Sequence, residues 1–529
     1  MSALKRTLLA AALATAIAWP LPTFAETTLR LDEVVVGELD PAKATDYADS
    51  ILMFNVYDTL VIPEQGGPGV VAHLASDWTI DGNVYTFTLT DAKFHSGNPV
   101  TAADVVYSYD RMMAIGQGNS NLFAGRVASV EAVDPKTVRF TLSGAFAPFL
   151  AALVRLPIID STLAKEHQEA GDFGDAGDYS QAWLSANDAG SGAYVVKSHN
   201  PQEETNMAKF ADYFLGVPAR APDNVRLRYG IEAPTVRALI SRGEHDIGSQ
   251  WLPPEVVKAL AGEGAQILNE RGTAQYYLKL NTAKAPLDDV HCRRALVYSF
   301  DYANALKMVA VTDDFALGVP ANGPLPHGMM GSDDQPDYTQ DMEKAKAERA
   351  QCKYADPNTP LEISWIAEVP LEERIALLLQ ASAQQVGFKP AVTRVPWALF
   401  TELATKPDTT PNVSQLFSYP VTPDPDALLY NQYHSSSRGT YESTENLNDP
   451  ELDKLLEAAR TETDPAKRTE LYNQVVNRLR DLAATIYAYD QVAAFIARDV
   501  VSAPALMDDT KRFPLSGFGF TFRLMEMKE

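Results

Sequence analysis

Eight histidines, two cysteines and a few paired acids are the side chains of this 529-residue chain best suited to metal binding or acid–base work. The histidines stand at 73, 95, 167, 199, 245, 291, 327 and 434, with no i, i+4 pair and no other ligand-like spacing among them. A helical metal site needs such a pair on one face. His291 and Cys292 are the one adjacent soft pair, but neighbours in sequence do not share a helix face. Structural zinc wants four ligands, so Cys292 and Cys352 are either a disulfide or two buried thiols. Glu372-Glu373 and Asp424-Pro425-Asp426 pair carboxylates, yet paired acids are common on solvated faces. Hydrolysis of a glycoside needs two carboxylates facing one cleft. The chain has no Gly-x-Ser-x-Gly elbow, His-Glu-x-x-His, P-loop or dinucleotide fingerprint. These absences weigh against an enzyme and against a bound cofactor.

The ends and composition set the compartment. Lys5 and Arg6 precede a short apolar run, Leu8 to Trp19, then Pro20, Pro22 and Thr23-Phe24-Ala25. This order predicts a secretory signal peptide, residues 1–25, cut before Glu26. The run is too short for a membrane span, which takes about 20 apolar residues. A soluble periplasmic product of a Gram-negative cell is expected. The remaining length suits two or three compact units, and 46% hydrophobic residues can fill their cores. A formal charge of −24 should repel nucleic acid and anionic lipid.

Strands and helices alternate along the chain, which predicts α/β lobes. Tyr85 to Leu89 alternates apolar and polar residues as a half-buried strand does. Thr101 followed by Asp104 predicts a capped helix start. Leu452, Leu455, Leu456 and Ala459 share one helical face between Glu451 and Arg460. Leu371 to Val386 forms a second amphipathic helix ended by Gly387, and a strand is expected from Ala391 to Val395.

Several collinear segments resemble the family of extracytoplasmic solute-binding proteins of ABC importers that take peptides, nickel and opines. They are Leu39-Asp40-Pro41, Asn55-Val56-Tyr57-Asp58-Thr59-Leu60, and Leu74-Ala75-Ser76-Asp77-Trp78 followed by Tyr85 to Leu89 and Phe94-His95-Ser96-Gly97. Val100 to Ser108, Gly190-Ser191-Gly192-Ala193-Tyr194, Asp212 to Gly216 and Leu280-Asn281-Thr282 continue the order. Asp453, Leu456, Arg460, Thr463-Asp464-Pro465 and Arg468 complete it. The resemblance implies an α/β, two-lobed clamp of the periplasmic-binding-protein type (type II-like), with an extra sub-domain in lobe one. It places lobe one at 26–275, with the sub-domain about 50–185, lobe two at 276–484, and a return to lobe one at 485–529. It also implies a monomer that delivers a small solute to permease subunits and their ATPases.

Pocket residues follow from the resemblance one at a time. Trp397 stands where many members place an indole against the ligand; the alternative is a core Trp. Phe417 and Tyr419 lie on the segment Leu416 to Asp426, Trp251 on a turn before Pro253-Pro254, and Asp46 and Tyr47 just after Leu39-Asp40-Pro41. Peptide binders of the family put an Asp for the ligand's α-ammonium at the position occupied here by Val421. An Arg that some members use for the ligand carboxylate is missing from Trp365 to Pro370, where Glu368 could meet a cation or sugar hydroxyls. These departures point from plain peptides toward a modified peptide or opine. An oligosaccharide, nickel or haem are the alternatives.

Overall fold

A computed structural model describes residues 26–33, 38–45, 47–67, 69–327, 329–332, 339–354, 356 and 359–528. The expected signal peptide, residues 1–25, lies outside the described residues.

Two long strands, Gln266–Leu280 and Thr485–Ala497, run antiparallel through the middle of an eleven-stranded sheet. Every residue of Thr485–Ala497 is buried, as expected of a strand covered on both faces. The first half of the pair, Gln266 to Arg271 against Val492 to Ala497, adjoins Ile247–Gly248 and then Thr28–Glu33, Asn224–Tyr229, Glu204–Lys209 and Tyr194–Asn200. The second half adjoins Val413–Ser418, Thr359–Ile366 and Phe388–Val395. The register slips between Arg271 and Gln275 and again between Tyr276 and Tyr277. The two halves of this sheet are the centres of two lobes.

A four-stranded antiparallel sheet stands apart from the large one, in the order Ala75–Asp81, Val84–Leu89, Thr137–Leu142, Val127–Asp134. The helix Ala102–Ile115 covers it. Val84–Leu89 alternates buried and less buried residues, and Phe87, Phe140, Phe149 and Tyr109 fill the core beneath. The Asp104 carboxylate accepts the N–H and hydroxyl of Thr101 at 2.9 and 2.7 Å, closing the helix start. Arg111, on the same helix, forks onto Asp40 with two bonds of 2.7 Å and ties this sheet to the first lobe. Gly190 and Gly192 press so closely on the helix Tyr47–Val56 that a Cβ at either would overlap the carbonyl oxygens of Val56 and Asn55.

In the second lobe the helices Pro370–Gln385 and Pro450–Thr461 form close to the expected bounds. Gly387 has φ +83°, which ends the first of them. The strand that follows begins at Phe388, three residues earlier than its pattern indicates. It lies at the sheet edge, where the N–H that Pro390 lacks need not be paired. Cys292 and Cys352 form a disulfide between the helices Val290–Ser299 and Met342–Gln351, so the free-thiol alternative is excluded. The acids of Asp424-Pro425-Asp426 are scaffold. Arg468 binds Asp424 at 2.6 and 2.7 Å, and Arg460 binds Asp426 at 2.7 and 2.8 Å.

Candidate functional site

A cavity of about 540 Å³ lies between the lobes. Val413–Ser418 carries Leu416, Phe417 and Ser418 to its wall, and the chain continues along it as Tyr419, Pro420 and Val421. Pairing with Gln275–Leu280 fixes this strand, and Tyr276 donates its hydroxyl to the side-chain Oε1 of Gln415 at 2.7 Å. Phe417 packs on Tyr276 with ring centroids 4.6 Å apart, and meets Trp251 edge-on at 6.3 Å.

Six of the seven residues singled out in the sequence line this cavity: Tyr47, Trp251, Glu368, Trp397, Phe417 and Tyr419. The seventh, Asp46, lies outside the described residues. Trp397 opens the helix Trp397–Leu403 and is 39% exposed, which sets aside the core-Trp alternative. Its ring meets Tyr441 edge-on at 5.1 Å. Glu368 accepts the Trp397 backbone N–H at 3.1 Å, so one of its oxygens serves the helix start. Tyr47 donates its hydroxyl to Glu270 at 2.9 Å. Burial and Glu270 hold that phenol well above its ordinary pKa, so it remains a donor. Glu270 also accepts from the N–H groups of Gly517 and Gly519, yet burial prevails and lifts its pKa to about 7.

Other lining residues carry charge that the sequence reading did not reach. Lys279 is buried and committed. Its ammonium donates to Gln432 at 2.7 Å and the Glu442 carbonyl at 2.6 Å, and lies 3.1 Å from the Glu445 carboxylate. Burial lowers its pKa against the pull of Glu445, and burial raises the Glu442 carboxyl. Arg155 ends the short turn Leu153–Arg155 of the first lobe. Its Nε donates to the Val421 carbonyl at 2.5 Å, across the cleft, and its Nη1 to Ser50 Oγ at 3.1 Å. Each of these cations stands alone in an apolar stretch, Leu153-Val154-Arg155-Leu156 and Tyr277-Leu278-Lys279-Leu280, and that isolation is the signal that could have marked them. Glu33, Ser50, Gln432 and Tyr441 also face the cavity and carry no sequence mark of their own.

Asn281, His95 and His291 are held by partners of the scaffold. Asn281 donates to the carbonyls of Pro407 and Thr410 at 2.8 and 3.2 Å, which is backbone support at the entry to the second lobe. His95 bridges Asp188 at 2.6 Å and the Gly192 carbonyl at 2.9 Å, and holds the glycine turn in place. His291 pairs with Glu348 at 2.7 Å. Among the described residues no group of three or more His, Cys, Asp or Glu side chains is gathered as a metal site.

Two lobes joined by two continuous strands, with an aromatic and polar cavity between them, define a solute-binding clamp. Residues 69–440 match the bacterial extracellular solute-binding proteins, family 5 (middle region). The probable D,D-dipeptide-binding periplasmic protein DdpA of Escherichia coli K12 is 32% identical over 484 residues, covering 87% of this chain and 89% of the relative. The ABC transporter substrate-binding protein CtaP of Listeria monocytogenes has the same fold, with TM-score 0.81 at 21% identity over 95% of this chain and all of that one. The binding protein MoaA of A. tumefaciens R10, solved with mannopinic acid, matches with TM-score 0.75 at 24% identity over 96% of this chain and all of that one. The chain belongs to family 5 of the bacterial extracellular solute-binding proteins, and is a binding component of an ABC transporter, not an enzyme. Among the described residues no helix is long and apolar enough to cross a membrane.

Proposed function

We propose that the chain captures a peptide or peptide-like solute, such as an opine or modified peptide, between its lobes and delivers it to the permease of an ABC importer. Two permease subunits and two ATPases would complete that importer. Delivery would take place in the periplasm, by a monomer freed of residues 1–25. The observation that carries this reading is the cavity, whose size of about 540 Å³ suits a small solute. Trp251, Trp397, Phe417 and Tyr419 offer it flat apolar area, and Tyr47 and Glu368 offer polar contacts. The relative DdpA is named for D,D-dipeptides, and MoaA was solved with an opine.

The lobe boundaries follow from the same reading. Lobe one takes 26–275, with its sub-domain about 50–185, and 485–529; lobe two takes 276–484. The slips of register after Arg271 and Tyr276 support a hinge at that boundary, because an irregular ladder bends more readily than a regular one. Val421 supports a modified ligand, since its side chain offers no charge to a free α-ammonium.

A thermal-shift screen tests the reading. Residues 26–529 are unfolded and refolded to strip carried-over solute, then heated with di- to pentapeptides, opines, oligosaccharides, nickel and haem. A ligand that binds only the folded state raises the melting temperature with its concentration. Peptides or opines should do so. A response confined to oligosaccharides, nickel or haem would replace this ligand class.

A further inference from the structure

Arg155 is held in a way that leaves room for a partner. A guanidinium has five N–H donors, and two groups of this one are engaged, Nε with the Val421 carbonyl and Nη1 with Ser50. Its third contact is the face of Phe54, 5.1 Å away. No carboxylate of the described residues lies within ion-pair distance of it. Among the described residues Asp49 is the acid whose charge acts on it, and both Asp49 oxygens already accept backbone N–H groups, from Glu38 and Thr45, at 2.6 Å. The loss of water lowers the Arg155 pKa to about 10. A cation partly removed from water without a counter-ion is costly, and an arriving anion would relieve that cost.

Its surroundings choose the sign of the ligand group. The family resemblance would put an acid at Val421 to receive an ammonium. Here the side chain is apolar and the main-chain carbonyl is already taken by a cation. An ammonium brought to this place would meet the guanidinium. A carboxylate would meet its free donors. The second cation of the wall, Lys279, is saturated by Gln432, Glu442 and Glu445, so it does not compete for the anion.

We propose that Arg155 is the anchor for a carboxylate of the bound solute, which therefore enters with an anionic group against the Val421 segment. This rests on the reading of the cavity as the solute site. Because the same guanidinium also holds the Val421 carbonyl, the anion is seated where the two lobes touch, and its binding favours the closed form.

The test uses refolded residues 26–529, titrated by calorimetry with D-alanyl-D-alanine, its C-terminal amide and mannopinic acid. The expected result is that the free acid or the opine binds, and that the amide binds at least tenfold more weakly than the free acid or fails to bind. Arg155→Met should lower affinity for the carboxylate probe at least tenfold with little change in the unliganded melting temperature. Arg155→Lys, which keeps the charge but not the fork, should fall between. Equal affinity for acid and amide, or full carboxylate binding by Arg155→Met, would overturn the anchor and leave the peptide-like reading intact. Silence with all three probes would remove both the ligand class and the anchor built on it.

Discussion

Arg468 is buried and Arg155 is half-buried at the cavity wall, and they are held in opposite ways. Arg468 forks onto Asp424, donates to the Tyr472 hydroxyl at 2.8 Å, and reaches the Ala459 carbonyl at 2.8 Å. Arg111 on Asp40 and Arg460 on Asp426 repeat the arrangement. Arg155 has a carbonyl, a hydroxyl and a ring, and no carboxylate among the described residues. Saturated pairs belong to the scaffold, which must be the same with and without solute. An unsaturated charge belongs to the cleft, where the last partner comes from outside. The contrast sorts mutations into two kinds: scaffold changes should move unliganded stability and spare affinity, and cleft changes should do the reverse.

The largest effect should come from breaking a scaffold pair. Asp424→Ala strands the Arg468 guanidinium, and removal of one partner from a buried ion pair costs about 3–5 kcal/mol. Urea unfolding of the unliganded protein should show that loss, with solute affinity of the folded fraction unchanged. Arg155→Met should show almost none. Equal losses for the two variants would break the comparison.

The disulfide is a covalent version of the same idea. Cys292 and Cys352 are 60 residues apart in sequence and join two helices away from the cavity lining. Closing a loop of that length restricts the unfolded chain by roughly 4 kcal/mol in the loop-entropy account. Replacement of both by Ser should lower stability by about that amount and leave solute binding intact, as calorimetry would show. Lost affinity in a folded variant would place the bridge on the functional side.

What could be read from the sequence divides along the same line. Periodic and punctuated features were legible: the alternation of Val84–Leu89, the faces of Pro370–Gln385 and Pro450–Thr461, and the turn at Gly387 all formed. Local spacing encodes these. The edge position of Phe388–Val395 was not legible, because neighbours in the sheet, not its own residues, allow Pro390 there. Aromatic residues of the cavity were found because the family resemblance carries their positions over one at a time, whatever element each lies on. Arg155 and Lys279 were missed because their meaning depends on which carboxylates lie nearby, and Glu445 reaches Lys279 from 166 residues away. A buried cation looks the same in one dimension whether it is paired or waiting.

Glu270 sharpens the boundary between the two kinds. It lies on the long strand just before the register slip, and through Tyr47 it touches the cavity wall. Its carboxyl is raised from an ordinary 4.5 to about 7 by burial. A raised acid favours the folded state when protonated. Its contribution is therefore complete below about pH 4.5 and is lost as pH climbs through about 7, amounting to about 3 kcal/mol at 1.36 kcal/mol per unit. Glu270→Gln should flatten the fall in unliganded stability between those limits, measured as urea midpoints at steps of pH. The amide can still accept from Gly517 and Gly519, and its NH2 can donate to the Tyr47 oxygen. An unchanged pH profile would assign the titration elsewhere.

The smallest expected free-energy change is the most direct probe of the cleft. Trp397→Ala should weaken solute binding more than tenfold, at least about 1.4 kcal/mol, and leave unliganded melting nearly unchanged. The indole is 39% exposed, and its ring neighbours, Phe400 at 5.8 Å and Tyr441 at 5.1 Å, flank only part of it. The bond from Glu368 goes to the backbone N–H, which Ala retains, and Ala suits the first helical position as well as Trp does. Nothing that holds the helix is removed, while the flat surface offered to the solute is. Fluorescence competition and unfolding on one preparation decide the matter. If stability falls by several kcal/mol, the ring is supporting the lobe. If stability holds and affinity falls, Trp397 stands with Arg155 among the groups whose partner arrives with the solute.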